Sequence, residues 1–494
     1  VTEPPDAYLA PSLLIEARRT IYEPDLAPSK DQRERPRNAV VHTSVAKISA
    51  SFLAEFFGEN SRDSKILRGR MFLASGLLDL CNIPPICPKP GKEIIVSLDL
   101  MKEKGVALDK QIFNWRDIVR TPTSKLNDDA FTRVRIILMN GIESEALRFQ
   151  HACARMNKDL QLALARVRRI EQHQQTMVNW LLPADLSPLE TTIGFEQVAI
   201  EVTASVAQHE PDPYLAQVYR FGLLEDFDHM YRFSALMDRV MGADANNILQ
   251  SYTDILPGRP TSVEHRAPED DLRKCYDRTQ AEPISKLNAG TIMAGEHQTH
   301  DYYMTIGPMF ADPIARQLYA EIASIEEQHV TQYESIIDPE ESWMEKWLMH
   351  EATEIYNYYS CLTYETNPRV KAIWERFLDY ELGHLHFVLE TCRKIEKRDP
   401  AEFLPESLPD PIEYRSHREF VRKTLSEEVD LRARGTQFIR KDEEESDSPS
   451  QLYRSQLNSH SSPSETVAAG YRWKPGTELA EETADIKELQ KKVA

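Results

Sequence analysis

No run of about 18 apolar residues occurs anywhere in this 494-residue chain, which excludes a membrane-spanning helix and predicts a protein without membrane contact. Cysteine is scarce: six residues, none in a Cys-x-x-Cys pair, with Cys81 and Cys87 too isolated to read as a zinc site. That usage fits a reducing compartment, and a cytoplasmic location is expected. The opening residues Val1-Thr-Glu-Pro-Pro-Asp6 hold no basic stretch followed by an apolar one, so no secretory signal is expected. Positive charge is in deficit, with 59 Lys and Arg against 79 Asp and Glu and a net charge of −20. A nucleic-acid partner needs a basic face, so none is expected, and the surplus acid reads as solubility.

What the chain does contain is a repeat. Glu296 is followed by Asp312-Pro313, Glu326 and His329; the same order recurs at one constant offset as Glu351, Asn367-Pro368, Glu381 and His384. At a second constant offset it stands earlier as Glu196, Asp212-Pro213, Asp226 and His229. Aromatics keep the same register at Tyr219, Tyr319 and Trp374. Each unit reads as a carboxylate on one helix, a Pro-bearing turn, and carboxylate-x-x-His on the returning helix. Positions i and i+3 share a helix face, so each carboxylate-x-x-His aims two ligands at one point. A decayed copy lies further upstream: Glu143 or Glu145, then Glu171-x-x-Gln174, with Gln174 where the pattern asks for His.

Apolar periodicity and proline punctuation predict helices over 130–155, 158–181, 188–209 and 213–241, then over 286–306, 313–334, 341–362 and 368–394. The predicted organisation is an N-terminal arm and helical region (1–129), a first four-helix unit (130–241), a connector (242–285), a second four-helix unit (286–394), and a C-terminal helix with a polar tail (395–494). Within the first region, 1–40 reads as an extended arm, and 41–58 and 62–81 as helices. In the last, 411–433 and 478–492 read as helices, and the acidic, Ser-rich stretch 441–450 as a linker.

The repeat resembles the ferritin-like di-iron carboxylate superfamily, whose bundles take one Glu from each of two helices and Glu-x-x-His from each of the other two. The resemblance implies an all-α fold of two tandem ferritin-like four-helix bundles. It implies a di-metal site in the second bundle formed by Glu296, Glu326, His329, Glu351, Glu381 and His384, both as metal ligands and as the catalytic set. Two iron ions are the expected cofactor, with manganese as the alternative. Glu354, one turn on from Glu351, is a candidate extra ligand. In the first bundle, Glu143, Glu171, Glu196, Asp226 and His229 are the candidate ligands of a degenerate site. Two readings stay open there: a weaker second site, or a bundle that has lost its metal and kept its fold.

The superfamily pattern also sets a geometric demand. If the second helix of a unit ends near Tyr333 and the third starts near Trp343, the chain must travel back about 20 Å along the bundle, at 1.5 Å per residue. Ten extended residues reach about 33 Å, so the crossing is feasible. Were the connection a simple turn, the half-sites would pair differently, between units or between subunits.

The function expected from this resemblance is a di-iron oxidoreductase that reacts with dioxygen or peroxide, and a homo-oligomer is expected. A storage ferritin resembles the chain least, since such chains are a single bundle. Without Cys-x-x-Cys motifs there is no built-in electron relay of the rubrerythrin kind, so electrons would come from an external reductase or from the substrate. Peroxide dismutation of the manganese-catalase kind and a metal-locked scaffold remain as alternatives.

Overall fold

The computed structural model describes residues 98–405 and 407–473. The expectations for 1–40, 41–58, 62–81 and 478–492 lie outside these residues. Eight long helices dominate the described part: α1 (Ala130–Met156), α2 (Gln161–Asn179), α3 (Pro188–His209), α4 (Pro213–Met241), α5 (Pro283–Ile306), α6 (Pro313–Ser335), α7 (Trp343–Tyr364) and α8 (Pro368–Ile395). They match the eight predicted helices to within three residues at each end.

The repeat is written into how these helices begin. Asp212, Asp312 and Asn367 cap α4, α6 and α8, their side chains accepting from backbone N–H groups of the first turn, and each is followed by proline at the first helical position. Proline lacks the N–H that would be left over there and presets the helical φ. Ser187 and Ser342 open α3 and α7 with capping boxes closed by Glu190 and Glu345. Caps of this kind are worth about 1 kcal/mol each. They fix where each helix starts, and so which residues stand level with one another.

The helices pair as four hairpins: α1–α2, α3–α4, α5–α6 and α7–α8. The leading helices α1, α3, α5 and α7 pack on one another in the centre. The returning helices lie outside, where α4 touches α6 and α2 touches α8. The repeat's aromatics are core residues, with Tyr219, Tyr319 and Trp374 all buried. Around Trp374 the packing is tied by charge: Glu365, just past the end of α7, accepts from Arg135 Nε (2.9 Å), Thr132 Oγ1 (2.8 Å) and Trp374 Nε1 (3.1 Å).

The connections are unequal. Segments 180–187 and 336–342 are short, whereas 242–282 is long and holds only single helical turns at Asn246–Leu249, Thr261–Val263 and Pro268–Asp271. Among the described residues the C-terminal region contains α9 (Arg418–Glu428), a hairpin of β1 (Leu431–Arg434) and β2 (Gln437–Arg440), α10 (Pro449–Leu457) and α11 (Pro463–Ala468). The predicted helix 411–433 is therefore shorter than expected. Arg434 pairs with Gln437 across a two-residue turn in which Gly435 takes φ +54°, so the chain folds back where a helix would continue. The acidic stretch 441–450 is mostly exposed but anchored at its end: Ser448 caps α10, and the buried Ser450 hydroxyl holds Asp270. Helix α11 lies against α4 and α6, and Ser462 donates to Glu321 at 2.8 Å.

Candidate metal centres

The first cluster forms where α3–α4 meets α5–α6. Asp226, Glu296, Glu326 and His329 present ligand atoms within 4.8 Å of one another, and Glu196, His229 and Glu326 form a second such group. Glu326 belongs to both. All six residues are at most 2% exposed. His329 Nδ1 lies 3.2 Å from Asp226 Oδ1, 3.2 Å from Glu326 Oε2 and 3.6 Å from Glu296 Oε2. His229 Nδ1 lies 3.1 Å from Glu326 Oε1. The two imidazole centroids are 5.9 Å apart.

Each imidazole turns its other nitrogen outward onto a carboxylate. His229 Nε2 meets Glu264 at 2.9 Å, and His329 Nε2 meets Glu225 at 2.8 Å. Glu225 is itself held by Arg259 (3.2 Å) and Arg266 (2.5 Å). With the outward N–H engaged, Nδ1 is the nitrogen that would offer its lone pair to a metal once its own proton is lost, the arrangement in which histidine binds a metal. Tyr303 donates its hydroxyl to Glu196.

The protein leaves this cluster unfinished. Both oxygens of Asp226, one oxygen each of Glu196, Glu296 and Glu326, and His329 Nδ1 are buried without a hydrogen-bond partner. Groups of this kind are costly to bury unless paired or bound to a cation. Burial and neighbouring carboxylates push Glu196, Asp226 and Glu296 above their ordinary range. Burial also works to raise Glu326, but the neighbouring His229 and His329 imidazoles outweigh it and bring the group down to about 2. Desolvation disfavours charge on both imidazoles, yet the surrounding carboxylates hold them well above their usual value. Four carboxylates and two inward-facing imidazoles fit a pair of divalent ions.

The second cluster forms where α1–α2 meets α7–α8. Glu171, Glu351, Glu381 and His384 make one group, and Glu143, Glu354 and Glu381 the other, with Glu381 common to both. His384 Nδ1 lies 2.9 Å from Glu381 Oε2 and 3.8 Å from Glu171 Oε1. Its Nε2 meets Gln111 Oε1 at 2.7 Å. Gln111 donates its own amide N–H groups to the Val106 and Tyr380 carbonyls, both at 2.9 Å. Its oxygen is thereby left to accept from His384, and Nδ1 again faces inward. The approach of this loop depends on Gly383, because a Cβ there would stand 1.8 Å from the Val106 carbonyl oxygen. Trp347 Nε1 donates to Glu351 (2.7 Å), Gln150 to Glu171 (2.5 Å), Tyr358 to Glu143, and Gln174 to Glu381 (2.5 Å). Burial raises Glu171 to about 8, and Glu143, Glu351 and Glu354 well above their ordinary value.

The structure therefore does not bring the six residues of the expected single site together. Glu296, Glu326 and His329 stand with Glu196, Asp226 and His229, while Glu351, Glu381 and His384 stand with Glu143 and Glu171. The half-sites pair between the units read from sequence. The reason lies in the connections. The segments 180–187 and 336–342 are the short ones, whereas 242–282, between α4 and α5, has ample length to cross a bundle. The degenerate site expected in the first unit is thus split as well: its Glu196, Asp226 and His229 complete the histidine-rich cluster, while its Glu143 and Glu171 stand in the other.

Among neighbouring candidates, Glu354 joins the second cluster, as its spacing suggested. His297 on α5 and His350 on α7 line a cleft of about 960 Å³, where His297 meets Glu145 at 2.7 Å and His350 stacks on Phe149. His386 reaches the Glu103 carbonyl (2.8 Å), His300 approaches Glu327 (3.8 Å), and Glu327 is exposed. Sequence reasoning missed Glu225, Glu264 and Gln111. Glu225 carries a local signal, an acidic pair inside the apolar run Leu223-Leu224-Glu225-Asp226-Phe227. Glu264 and Gln111 sit in irregular segments with no period to betray them. No family model matches the chain, no curated protein matches it, and no solved structure matches it.

Proposed function

We propose that the Glu196–Asp226–His229–Glu296–Glu326–His329 cluster is a two-ion centre, and that the chain is a di-iron oxidoreductase acting on dioxygen or peroxide. One observation carries the reading: Glu326 is common to two ligand groups, each completed by an imidazole whose Nδ1 faces inward and whose Nε2 is fixed by a carboxylate. In this reading α3–α4 and α5–α6 form a ferritin-like four-helix bundle, with 242–282 as its crossover, and α1–α2 with α7–α8 form the other bundle around it.

The bound metals would supply redox chemistry toward a small oxidant. The chain's own residues do the rest. Glu225 and Glu264 orient the imidazoles, and the Tyr303 hydroxyl donates to Glu196 Oε1 and can pass a proton there. Burial excludes bulk water, and the space of about 10 Å³ beside Glu296 is close to the volume needed for a single water. Electrons would come from an external reductase, as the sequence has no Cys-x-x-Cys relay.

The test is to load the full chain anaerobically with iron, reduce it, and measure dioxygen and peroxide consumption. Uptake of dioxygen that depends on reductant and is lost in Glu326→Gln supports the proposal. Peroxide disproportionation by manganese-loaded protein without reductant would replace it with a dismutase. Tight metal binding with neither activity would leave a metal-locked scaffold.

A further inference from the structure

The two clusters correspond by position in their hairpins, and the kinds of donor they offer differ at two of those positions. By position in the hairpins, Glu143 answers Glu196, Glu171 answers Asp226, Glu351 answers Glu296, Glu381 answers Glu326 and His384 answers His329. Tyr358 on Glu143 likewise answers Tyr303 on Glu196. The position built from Glu171, Glu351, Glu381 and His384 therefore keeps every counterpart. The other position does not. Gln174 stands where His229 does, and Glu354 stands where α5 has Thr299. A neutral nitrogen donor has been exchanged for an anionic oxygen donor.

We infer that the α1–α2–α7–α8 cluster is a second cation centre, unlike the first, whose Glu143–Glu354–Glu381 position takes a hard, oxygen-preferring divalent ion such as Mn2+ or Mg2+. Three observations carry it. Both oxygens of Glu354, Glu143 Oε2, Glu171 Oε1, Glu351 Oε2 and Gln174 Oε1 are buried without a hydrogen-bond partner. All five carboxylates are at most 1% exposed, and the ion pairs found for them are with His384 alone. The donor set at this position is all oxygen, and carboxylate and carbonyl ligation favours Mn2+ and Mg2+ where imidazole favours iron, cobalt and zinc. A turn of the Gln174 amide would present its free oxygen to the same ion. Five buried carboxylates with one imidazole call for more positive charge than the chain supplies, and cations supply it.

The inference is tested on the full chain stripped with chelator, titrated with Mn2+, desalted and counted by elemental analysis, with helix content followed by circular dichroism. The wild type should retain about four ions, two for each cluster. Glu354→Gln should lose one and keep the others, with Mg2+ competing for the ion that is lost. His229→Ala should lower occupancy of the first cluster and leave both ions of the second. Gln174→His should raise Co2+ affinity at this position at least tenfold and add an imidazole signature to its visible spectrum. A wild type holding only two Mn2+ ions, with Glu354→Gln indistinguishable from it, overturns the inference. If Glu354→Gln fails to fold, an unchanged Co2+ affinity in Gln174→His overturns it instead. Loss of ions from the first cluster alone would count against the proposed function and leave this inference standing.

Discussion

Replacing Glu326 with glutamine tests the shared-carboxylate geometry most directly. The change keeps the shape of the side chain and removes its charge. In the metal-free protein Glu326 accepts from His229 Nδ1 at 3.1 Å and lies 3.2 Å from His329 Nδ1. These contacts lower its ionisation from 4.5 to about 2 against the pull of burial, which corresponds to about 3 kcal/mol in favour of the charged form. Glu326→Gln should therefore lower the stability of chelated protein by roughly that amount, read from the shift of a denaturant midpoint at unchanged slope. With metal present the loss should be larger, because one substitution removes an anionic ligand from both ions. Removing even an outer partner of a ligand typically costs 10–100-fold in affinity, and loss of the ligand itself should cost at least as much at each position. Elemental analysis should find both ions of the first cluster gone, while those of the second remain. Glu381→Gln should give the mirror result. Retention of both ions in Glu326→Gln would refute a shared role for this residue. Loss of the same ions from both variants would refute the pairing of α5–α6 with α3–α4.

Three further outcomes follow from the same coordinates. Glu264→Ala, which frees His229 Nε2 without touching a ligand, should weaken one ion of the first cluster by about 10–100-fold in a competition titration, and an unchanged affinity would remove Glu264 from the site. Gly383→Ala places a Cβ 1.8 Å from the Val106 carbonyl oxygen and 2.9 Å from Gln111 Nε2. It should cost about 1–3 kcal/mol of stability and loosen metal only at His384, a selectivity that elemental analysis would check. The metal-free chain should lose thermal stability as pH rises. Glu171 and Glu264 ionise near 4.5 when unfolded but only at about 8 in the fold, so their contribution is full below pH 4.5 and lost as pH passes about 8. Glu326 acts in the opposite sense, its contribution lost as pH falls from 4.5 toward about 2. A metal-free melting midpoint that climbs steadily from pH 5 to 8 would contradict this accounting.

The helices and the ligand types were readable because both are local. Apolar period places each helix, Asp-Pro, Asn-Pro and Ser-x-x-Glu starts mark five of the eight, and the i, i+3 spacing puts Asp226 with His229, Glu326 with His329 and Glu381 with His384 on shared faces. The hairpins were readable too, since each lone glutamate and its returning motif are separated by one turn. Which hairpin meets which is a longer-range matter. It depends on where the chain can afford to cross, and the sequence spacing between successive motifs is compatible with a crossing at 336–342. What distinguishes the alternatives is the content of 242–282. That segment reads as a connector by its Pro and Gly, yet it delivers Arg259, Glu264 and Arg266 into the buried network around the two imidazoles.

The two clusters differ in their surroundings. The crossover passes the first cluster and lines it with charge: Glu264 and Glu225 hold the imidazoles, and Arg259 and Arg266 hold Glu225. The second cluster has no crossover of its own. Its outer support comes from ahead of α1, through the neutral amide of Gln111, placed by the contact of the loop with Gly383. A carboxylate behind an imidazole makes it a stronger donor, and an amide does so less. The first cluster is thus richer in strong nitrogen donors, and the second poorer in nitrogen and richer in oxygen, through both its ligands and what stands behind them. Gln111→Glu should shift His384 toward the first kind of site, raising Co2+ affinity there while leaving the Glu143–Glu354–Glu381 position unchanged in a Mn2+ titration. If Gln111→Glu alters both positions equally, the support behind His384 is not what separates them.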